Sequence, residues 1–260
     1  MSFQFLDIQR DGAIGRVTID RPPVNAVDQA MYQEIRDCFA FTDEHLPGVR
    51  VIIFSGRGKH FSGGNDLQEF LSLNPANGAG RMRLVRDAFY AIYDCPVPVV
   101  GAVHGMLAGT GVALAASCDI LVAGESTRFG TPEVRVGVMG GAKHLARLVP
   151  EAVMRKMYFT ADPVPVAELQ GYGLVAEIVP DAELLDAAKV MAARIARHSR
   201  AALRMAKESL NVIEPMPLKA AYEFEQHMTT RLSGHPDSLE ARNAMVERRD
   251  PVYSDTDLEG

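Results

Sequence analysis

Residues 101–119, Gly-Ala-Val-His-Gly-Met-Leu-Ala-Gly-Thr-Gly-Val-Ala-Leu-Ala-Ala-Ser-Cys-Asp, constrain this chain more than any other stretch. They put glycines where an apolar strand turns directly into a helix, so free backbone N–H groups point at whatever lies in front of that helix. The positive end of the helix dipole stands behind them, which suits a phosphate or a developing oxyanion. A second run, His60-Phe61-Ser62-Gly63-Gly64-Asn65-Asp66-Leu67, follows the apolar Val49–Phe54 and leads into a helical pattern. Two such turns after two buried strands supply two donors to one oxygen. For either run alone, glycines that only permit a tight turn and close packing are the alternative.

A carboxyl group between downstream turns is Glu133, in Arg128-Phe129-Gly130-Thr131-Pro132-Glu133-Val134-Arg135-Val136-Gly137. A lone glutamate is ordinarily a solvated surface residue. This one sits in a mostly apolar, glycine-bearing segment where a buried charge is costly. Around these motifs the coarse pattern alternates strands and helices, which predicts an α/β fold. Ile14–Ile19 reads as a strand ended by Asp20-Arg21-Pro22-Pro23. Residues 28 to about 44 read as an amphipathic helix with Met31, Ile35 and Cys38-Phe39 on one face. Val49–Phe54, Val97–Val103 and Ile120–Ala123 read as further strands. Ser72 to about Gly80 is rich in turn formers and predicts a mobile loop before a helix containing Arg81, Arg83 and Tyr90. From about residue 181 helices are expected over 182–196, 201–213, 218–232 and 238–248. No fixed-period repeat, low-complexity tract or clear linker is visible.

Phe61-Ser62-Gly63-Gly64-Asn65-Asp66-Leu67, then His104-Gly105 through Cys118-Asp119-Ile120, then Phe129-Gly130-Thr131-Pro132-Glu133 resemble the enoyl-CoA hydratase/isomerase (crotonase) superfamily in type, order and spacing. Arg21-Pro22-Pro23-Val24-Asn25-Ala26-Val27 is similar to that family's Pro-x-x-Asn-Ala turn. Glu247-Arg248-Arg249-Asp250-Pro251-Val252-Tyr253 is similar to its closing motif, so the resemblance spans nearly the whole chain. It implies a fold of stacked ββα units, a coenzyme A thioester as substrate, and an oxyanion hole of two backbone N–H groups, which fall by position on Asn65 and Thr110. It also implies Glu133 as acid/base, Val24, Ala26, Ser62 and Gly63 around the adenine end of the coenzyme, and Gly64, Asp66, Leu67 and Gly109 along the substrate. Residues 1–195 would form the core with the active site, and residues 196–260 a helical region that joins a homotrimer or hexamer. The stretch predicted as a loop before Arg81 would cover the acyl group.

Two positions depart from the family pattern. Thr110 stands where many relatives have glycine, and its β-branched side chain would restrict the backbone and narrow the acyl pocket. Ala113 stands where hydratases carry a second glutamate, so a site that holds water between two carboxylates is incomplete. One glutamate suffices to move a proton between C2 and C4 of an enoyl thioester, and isomerisation is then the simplest chemistry. Water held by His144, Glu69 or a residue of the 72–90 region keeps hydration open. The resemblance therefore implies a hydratase/isomerase-type enzyme with that division unsettled.

Two other classes remain. Gly109-Thr110-Gly111 has part of a dinucleotide-binding turn but Leu114 replaces the third glycine. A non-catalytic acyl-CoA-binding homologue is the second, and turnover with an enoyl-CoA separates it from an enzyme. His60, His104 and His144 are read first as satisfying local hydrogen bonds, and Asp66 as a helix cap.

Composition narrows the partners. A net charge of −6 argues against nucleic acid. Cys38, Cys95 and Cys118 are odd in number without Cys-x-x-Cys spacing, so neither a disulfide framework nor a zinc site is indicated, and no cofactor is expected beyond the coenzyme A of the substrate. The start lacks a secretory pattern, and the apolar stretch from Cys95 to Cys118 is broken by prolines and glycines, so a cytoplasmic protein with no membrane span is expected. The chain of 260 residues, 47% hydrophobic, is enough for a substantial core.

Overall fold

The computed structural model describes residues 3–254 and 256. Strands β1 (Leu6–Asp11) and β2 (Ile14–Ile19) form an antiparallel hairpin that pairs Leu6 with Ile19. Helices α1 (Gln29–Ala40) and α2 (Thr42–His45) lead to β3 (Val51–Gly56), and α3 (Leu67–Leu71) and α4 (Pro75–Tyr93) to β4 (Val99–Val103). Then β5 (Met106–Ala108) runs through one residue, Gly109, into α5 (Thr110–Ala116), followed by β6 (Ile120–Gly124) and β7 (Arg128–Gly130). The short helices α6 (Glu133–Val136) and α7 (Ala142–Leu145) precede α8 (Glu151–Thr160), β8 (Val164–Pro165), α9 (Val166–Leu169) and β9 (Glu177–Val179). Helices α10 (Leu184–Ala196), α11 (Arg200–Ile213), α12 (Leu218–Ser233) and α13 (Pro236–Glu247) complete the chain.

The main sheet has the order β1-β2-β3-β4-β6-β9, parallel from β2 onward. A central parallel strand is covered on both faces and reads as an unbroken apolar run, as Val51-Ile52-Ile53-Phe54 does. Side chains alternate across it. Ile52 and Phe54 join the core under α1 and α4, while Val51 and Ile53 meet Leu184, Ala188 and Ala192 of α10 on the other face. Phe54 stands edge-on to Phe39 and Phe61 with ring centroids 5.1 and 5.4 Å away. It thereby joins α1 to the segment that follows β3, and emptying that position would cost about 3–5 kcal/mol.

A small second sheet, β5-β7-β8, sits beyond the C-terminal ends of β3 and β4. Isolated bridges pair Ser62 with Leu107 and Val27 with Asn65, so the segment 62–66 is held between 24–27 and 106–108. The α/β alternation expected from the sequence is present throughout.

The loop expected over 72–80 is largely helix. Asn74 accepts from the N–H groups of Ala76 and Asn77, the Asn77 side chain accepts from the Asn74 N–H, and Pro75 occupies the first helical position. That reciprocal cap starts α4 early and carries it through Gly78 and Gly80. The strand expected from Val97 starts at Val99, because Pro98 cannot donate to the ladder. Helix α13 begins at Pro236, before the expected 238, because the His235 side chain accepts from the Asp237 N–H. Among the described residues no helix is long and apolar enough to cross a membrane.

Candidate active site

Three backbone segments are laced together at the centre of the candidate site. Gly63 N–H donates to Val24 O at 2.7 Å, Val27 N–H to Gly64 O at 2.8 Å, and Asp66 N–H to Val27 O at 2.9 Å. On the other side Ala108 N–H donates to Ser62 O at 3.1 Å. Two glycines permit this approach. A methyl on Gly64 would lie 2.8 Å from the Ala108 carbonyl oxygen, and one on Gly111 would lie 2.5 Å from the Ser62 carbonyl oxygen. Gly64 also has φ +98, which side-chain-bearing residues rarely adopt.

This lacing brings Asn65 and Thr110 onto neighbouring turns. Neither backbone N–H donates to a protein acceptor among the described residues. Backbone donors are almost always paired when buried, so two open ones on neighbouring turns are candidates to receive an oxygen. Thr110 is 5% exposed and takes an ordinary helical place at the start of α5. Its β-branched side chain is absorbed by a hydroxyl contact with Tyr32.

Glu133 opens α6 directly after Pro132 and is 6% exposed. Its Oε2 is buried and has no hydrogen-bond partner. Its Oε1 faces two glycines, since a methyl on Gly109 or on Gly141 would stand 3.3 Å from it. Burial favours the neutral acid and outweighs the opposing hydrogen bond from the residue's own backbone N–H, so the Glu133 carboxyl is pushed above its ordinary range. A carboxyl group raised in this way is a candidate for acid–base chemistry.

The remaining sequence candidates separate into open and occupied groups. Asp66 caps α3 by accepting from Gln68 and Glu69 N–H, and Arg21, 2.8 Å away, holds its carboxyl below the usual range. Glu69 accepts from Gln29 N–H at 3.0 Å and pairs with Arg81 at 3.4 Å, so it braces α1 against α4. Ser62 Oγ donates to Asn25 O, and Val24, Ala26, Gly63 and Leu67 border the same laced segments, with Leu67 69% exposed. Asn25, at φ +52, donates from Nδ2 to the carbonyls of Arg57 and His60, which fixes the 24–27 turn.

His60 Nδ1 accepts from Met106 N–H, and His104 Nε2 lies 2.8 Å from Gly58 O, so both serve loop structure. His144 differs. Its imidazole has no protein hydrogen-bond partner among the described residues and stands edge-on to Phe89 at 5.1 Å. Burial and then Arg147 depress its basicity, which keeps it neutral. Ala113 is 1% exposed within the core under α4.

Sequence reading passed over Tyr32. The hydroxyl of this buried α1 residue lies 2.6 Å from both Asn65 Oδ1 and Thr110 Oγ1. The signal for it was a tyrosine on the apolar stripe of α1, three residues before Ile35.

The family profile described as enoyl-CoA hydratase/isomerase matches residues 9–256. The chain belongs to the enoyl-CoA hydratase/isomerase family. It is 39% identical over 242 residues to a Rhodococcus jostii (strain RHA1) protein, covering 92% of each; that protein is named (7aS)-7a-methyl-1,5-dioxo-2,3,5,6,7,7a-hexahydro-1H-indene-carboxyl-CoA hydrolase. It is 31% identical over 261 residues to the carnitinyl-CoA dehydratase of Salmonella enteritidis PT4, covering 95% of this chain and 97% of that one. The solved structure of an enoyl-CoA hydratase from Mycobacterium smegmatis superposes with a TM-score of 0.90 at 28% identity, covering 95% and 98% of the two chains. As a member of the hydratase/isomerase family, the protein is an acyl-CoA-processing enzyme with the crotonase fold.

Proposed function

We propose that the enzyme works through a thioester enolate, with Glu133 as its sole carboxylate acid/base. The observation that carries this is the buried Glu133 carboxyl, with its Oε2 unpartnered, packed against Gly109, which directly precedes the open Thr110 N–H. The thioester oxygen would sit between the N–H groups of Asn65 and Thr110. As negative charge develops on that oxygen, both hydrogen bonds strengthen, which lowers the barrier to forming or capturing the enolate. Glu133 then moves the proton at the adjoining carbon. Val24, Ala26, Ser62 and Gly63 would flank the adenine end of the coenzyme, and Gly64, Asp66, Leu67 and Gly109 the thioester arm.

The Rhodococcus relative, whose printed name is that of a dione thioester hydrolase, favours a hydrolytic form of this chemistry over hydration. On an acyl-CoA bearing a ketone at C3, Glu133 would take a proton from water while the water oxygen bonds to the ketone carbon. The C2–C3 bond then breaks, and its electron pair enters the thioester as an enolate held by Asn65 and Thr110. Protonated Glu133 returns its proton to C2, leaving a carboxylic acid and a shortened thioester. One carboxylate suffices for this sequence. A second at position 113 is not required.

Glu133→Gln keeps the shape and removes the base. Turnover is expected to fall roughly a hundredfold or more, while calorimetry still detects acyl-CoA binding. Turnover within a few fold of wild type would move the chemistry to another residue. The same reading includes trimerisation through the C-terminal helices, where Leu218, Met245 and Val246 are 84%, 83% and 84% exposed; a monomer by light scattering would remove it.

A further inference from the structure

The turns that carry the two open N–H groups are also joined through side chains, by the tyrosine of a third element. Tyr32 is 3% exposed, and its hydroxyl touches Asn65 Oδ1 and Thr110 Oγ1 at 2.6 Å each. An amide oxygen can only accept, so Tyr32 gives its single proton to Asn65. Thr110 must then donate its own hydroxyl proton to Tyr32. With the Asn65 amide oxygen toward the tyrosine, the hydrogen bonds run in one sense, from Thr110 through Tyr32 to Asn65, and hold the amide in that orientation.

The other end is Nδ2, with two N–H groups and no protein acceptor among the described residues. The buried side-chain atoms without a partner are Thr131 Oγ1, Glu133 Oε2 and Ser209 Oγ. Asn65 Nδ2 is not among them, so it reaches accessible space. Asn65 and Tyr32 together line a narrow cleft with Val27, Phe70, Met82 and Val85, where α1, α3 and α4 meet.

We propose that Asn65 Nδ2, aimed by the Thr110–Tyr32 hydrogen bonds, is a third donor of the site and selects acyl-CoA thioesters that carry a second oxygen on C3, a 3-oxo or 3-hydroxy group. This rests on the enolate reading, because it requires the thioester oxygen at the Asn65 backbone N–H. In the syn form of a 3-oxo thioester the two oxygens lie about 3 Å apart, one hydrogen-bond length. The main-chain and side-chain nitrogens of a single asparagine cover a comparable span. Selection follows from asymmetry: a donor left without its acceptor when the pocket closes is costly, so a ligand lacking the second oxygen is penalised.

The test is calorimetry in a Glu133→Gln background, which stops turnover, with acetoacetyl-CoA and butyryl-CoA, which share the coenzyme and chain length and differ in the C3 oxygen. With positions 32 and 65 as in wild type, acetoacetyl-CoA is expected to bind about tenfold more tightly, the worth of one such hydrogen bond. Asn65→Ala keeps the backbone donor and removes the amide, and Tyr32→Phe keeps the ring and removes the aim; both should cut the preference to about twofold. Asn65→Asp, which replaces donors with an anion, should reverse it. Equal weakening of both ligands by Tyr32→Phe, or a preference that survives Asn65→Ala, would overturn the proposal and leave Tyr32 as a brace. The Glu133→Gln parent binding both ligands alike would also overturn it. Binding of neither thioester would instead overturn the enolate reading.

Discussion

Two regions of this molecule bury charged side chains and treat them in opposite ways. Along α11 and α13 each is partnered. Lys207 meets Asp119 at 2.5 Å, and Asp119 also accepts from Val99 N–H. Arg200 pairs with Asp43 and donates to Val49 O. Asp237 accepts from Ser199 Oγ and from both the N–H and the hydroxyl of Ser254. At the other region Glu133 is nearly as buried, and one carboxyl oxygen has no partner at all. A buried charge with partners fixes how elements dock, and removing one partner strands the other. A buried carboxyl with an open oxygen adds little to docking, and that oxygen's pairing capacity stays available. The contrast separates groups that hold the fold from one left open in the candidate site.

The largest expected effect breaks the first half of this comparison. Asp119→Ala leaves Lys207 buried and unpaired, and the loss should be about 3 kcal/mol by denaturant unfolding, with turnover per folded molecule unchanged. A loss below about 1 kcal/mol would mean that water reaches Lys207 and the pair is not structural.

Ala113→Glu probes whether a second carboxyl can be installed beside the first. Its side chain enters a position that is 1% exposed, so destabilisation of about 1–3 kcal/mol is expected from overpacking and burial of a polar group. The ratio of crotonyl-CoA hydration to Δ3-to-Δ2 isomerisation should rise. An unchanged ratio would show that position 113 does not reach the substrate in this enzyme.

The smallest effect sharpens the second half. Because burial raises the Glu133 pKa in the folded state, its ionisation costs stability. The favourable contribution is full below the ordinary value of 4.5 and is lost as pH rises through the raised folded value. Glu133→Gln should therefore melt roughly 2 °C above wild type at pH 7, a gap that closes near pH 4. A variant that is less stable at both pH values would mean that the carboxylate is partnered in solution.

The fold was legible wherever a local pattern had one physical solution. Val51-Ile52-Ile53-Phe54 has to be covered on both faces, so a buried strand followed, whereas the three-residue β5 of the second sheet carries no pattern of its own beside Val97–Val103. Glu133 was legible through the family resemblance of Phe129-Gly130-Thr131-Pro132-Glu133, since an apolar setting alone does not single out a glutamate. What escaped depends on residues far apart in sequence. Tyr32 looked like one more apolar residue of α1 until the fold set it against Asn65 and Thr110. Glu69, once a candidate to hold water, turned out to bind Gln29 and Arg81, contacts that no local pattern encodes. The start of α4 was missed for another reason: glycines at 78 and 80 outweighed the asparagine cap at 74 in a reading by composition.

The lacing of residues 24–27, 62–66 and 107–110 has an evolutionary consequence. Because main-chain bonds join these segments, a change in the 24–27 turn would be transmitted to the open N–H groups of Asn65 and Thr110, and drift in either is constrained by the other. The 67–93 region stands outside that lattice, attached through side chains such as Glu69, which accepts from Gln29 N–H, with Leu71 82% exposed. Sequence can vary there without moving the donors. New acyl specificities would therefore be expected to arise in α3 and α4, leaving the chemical step intact.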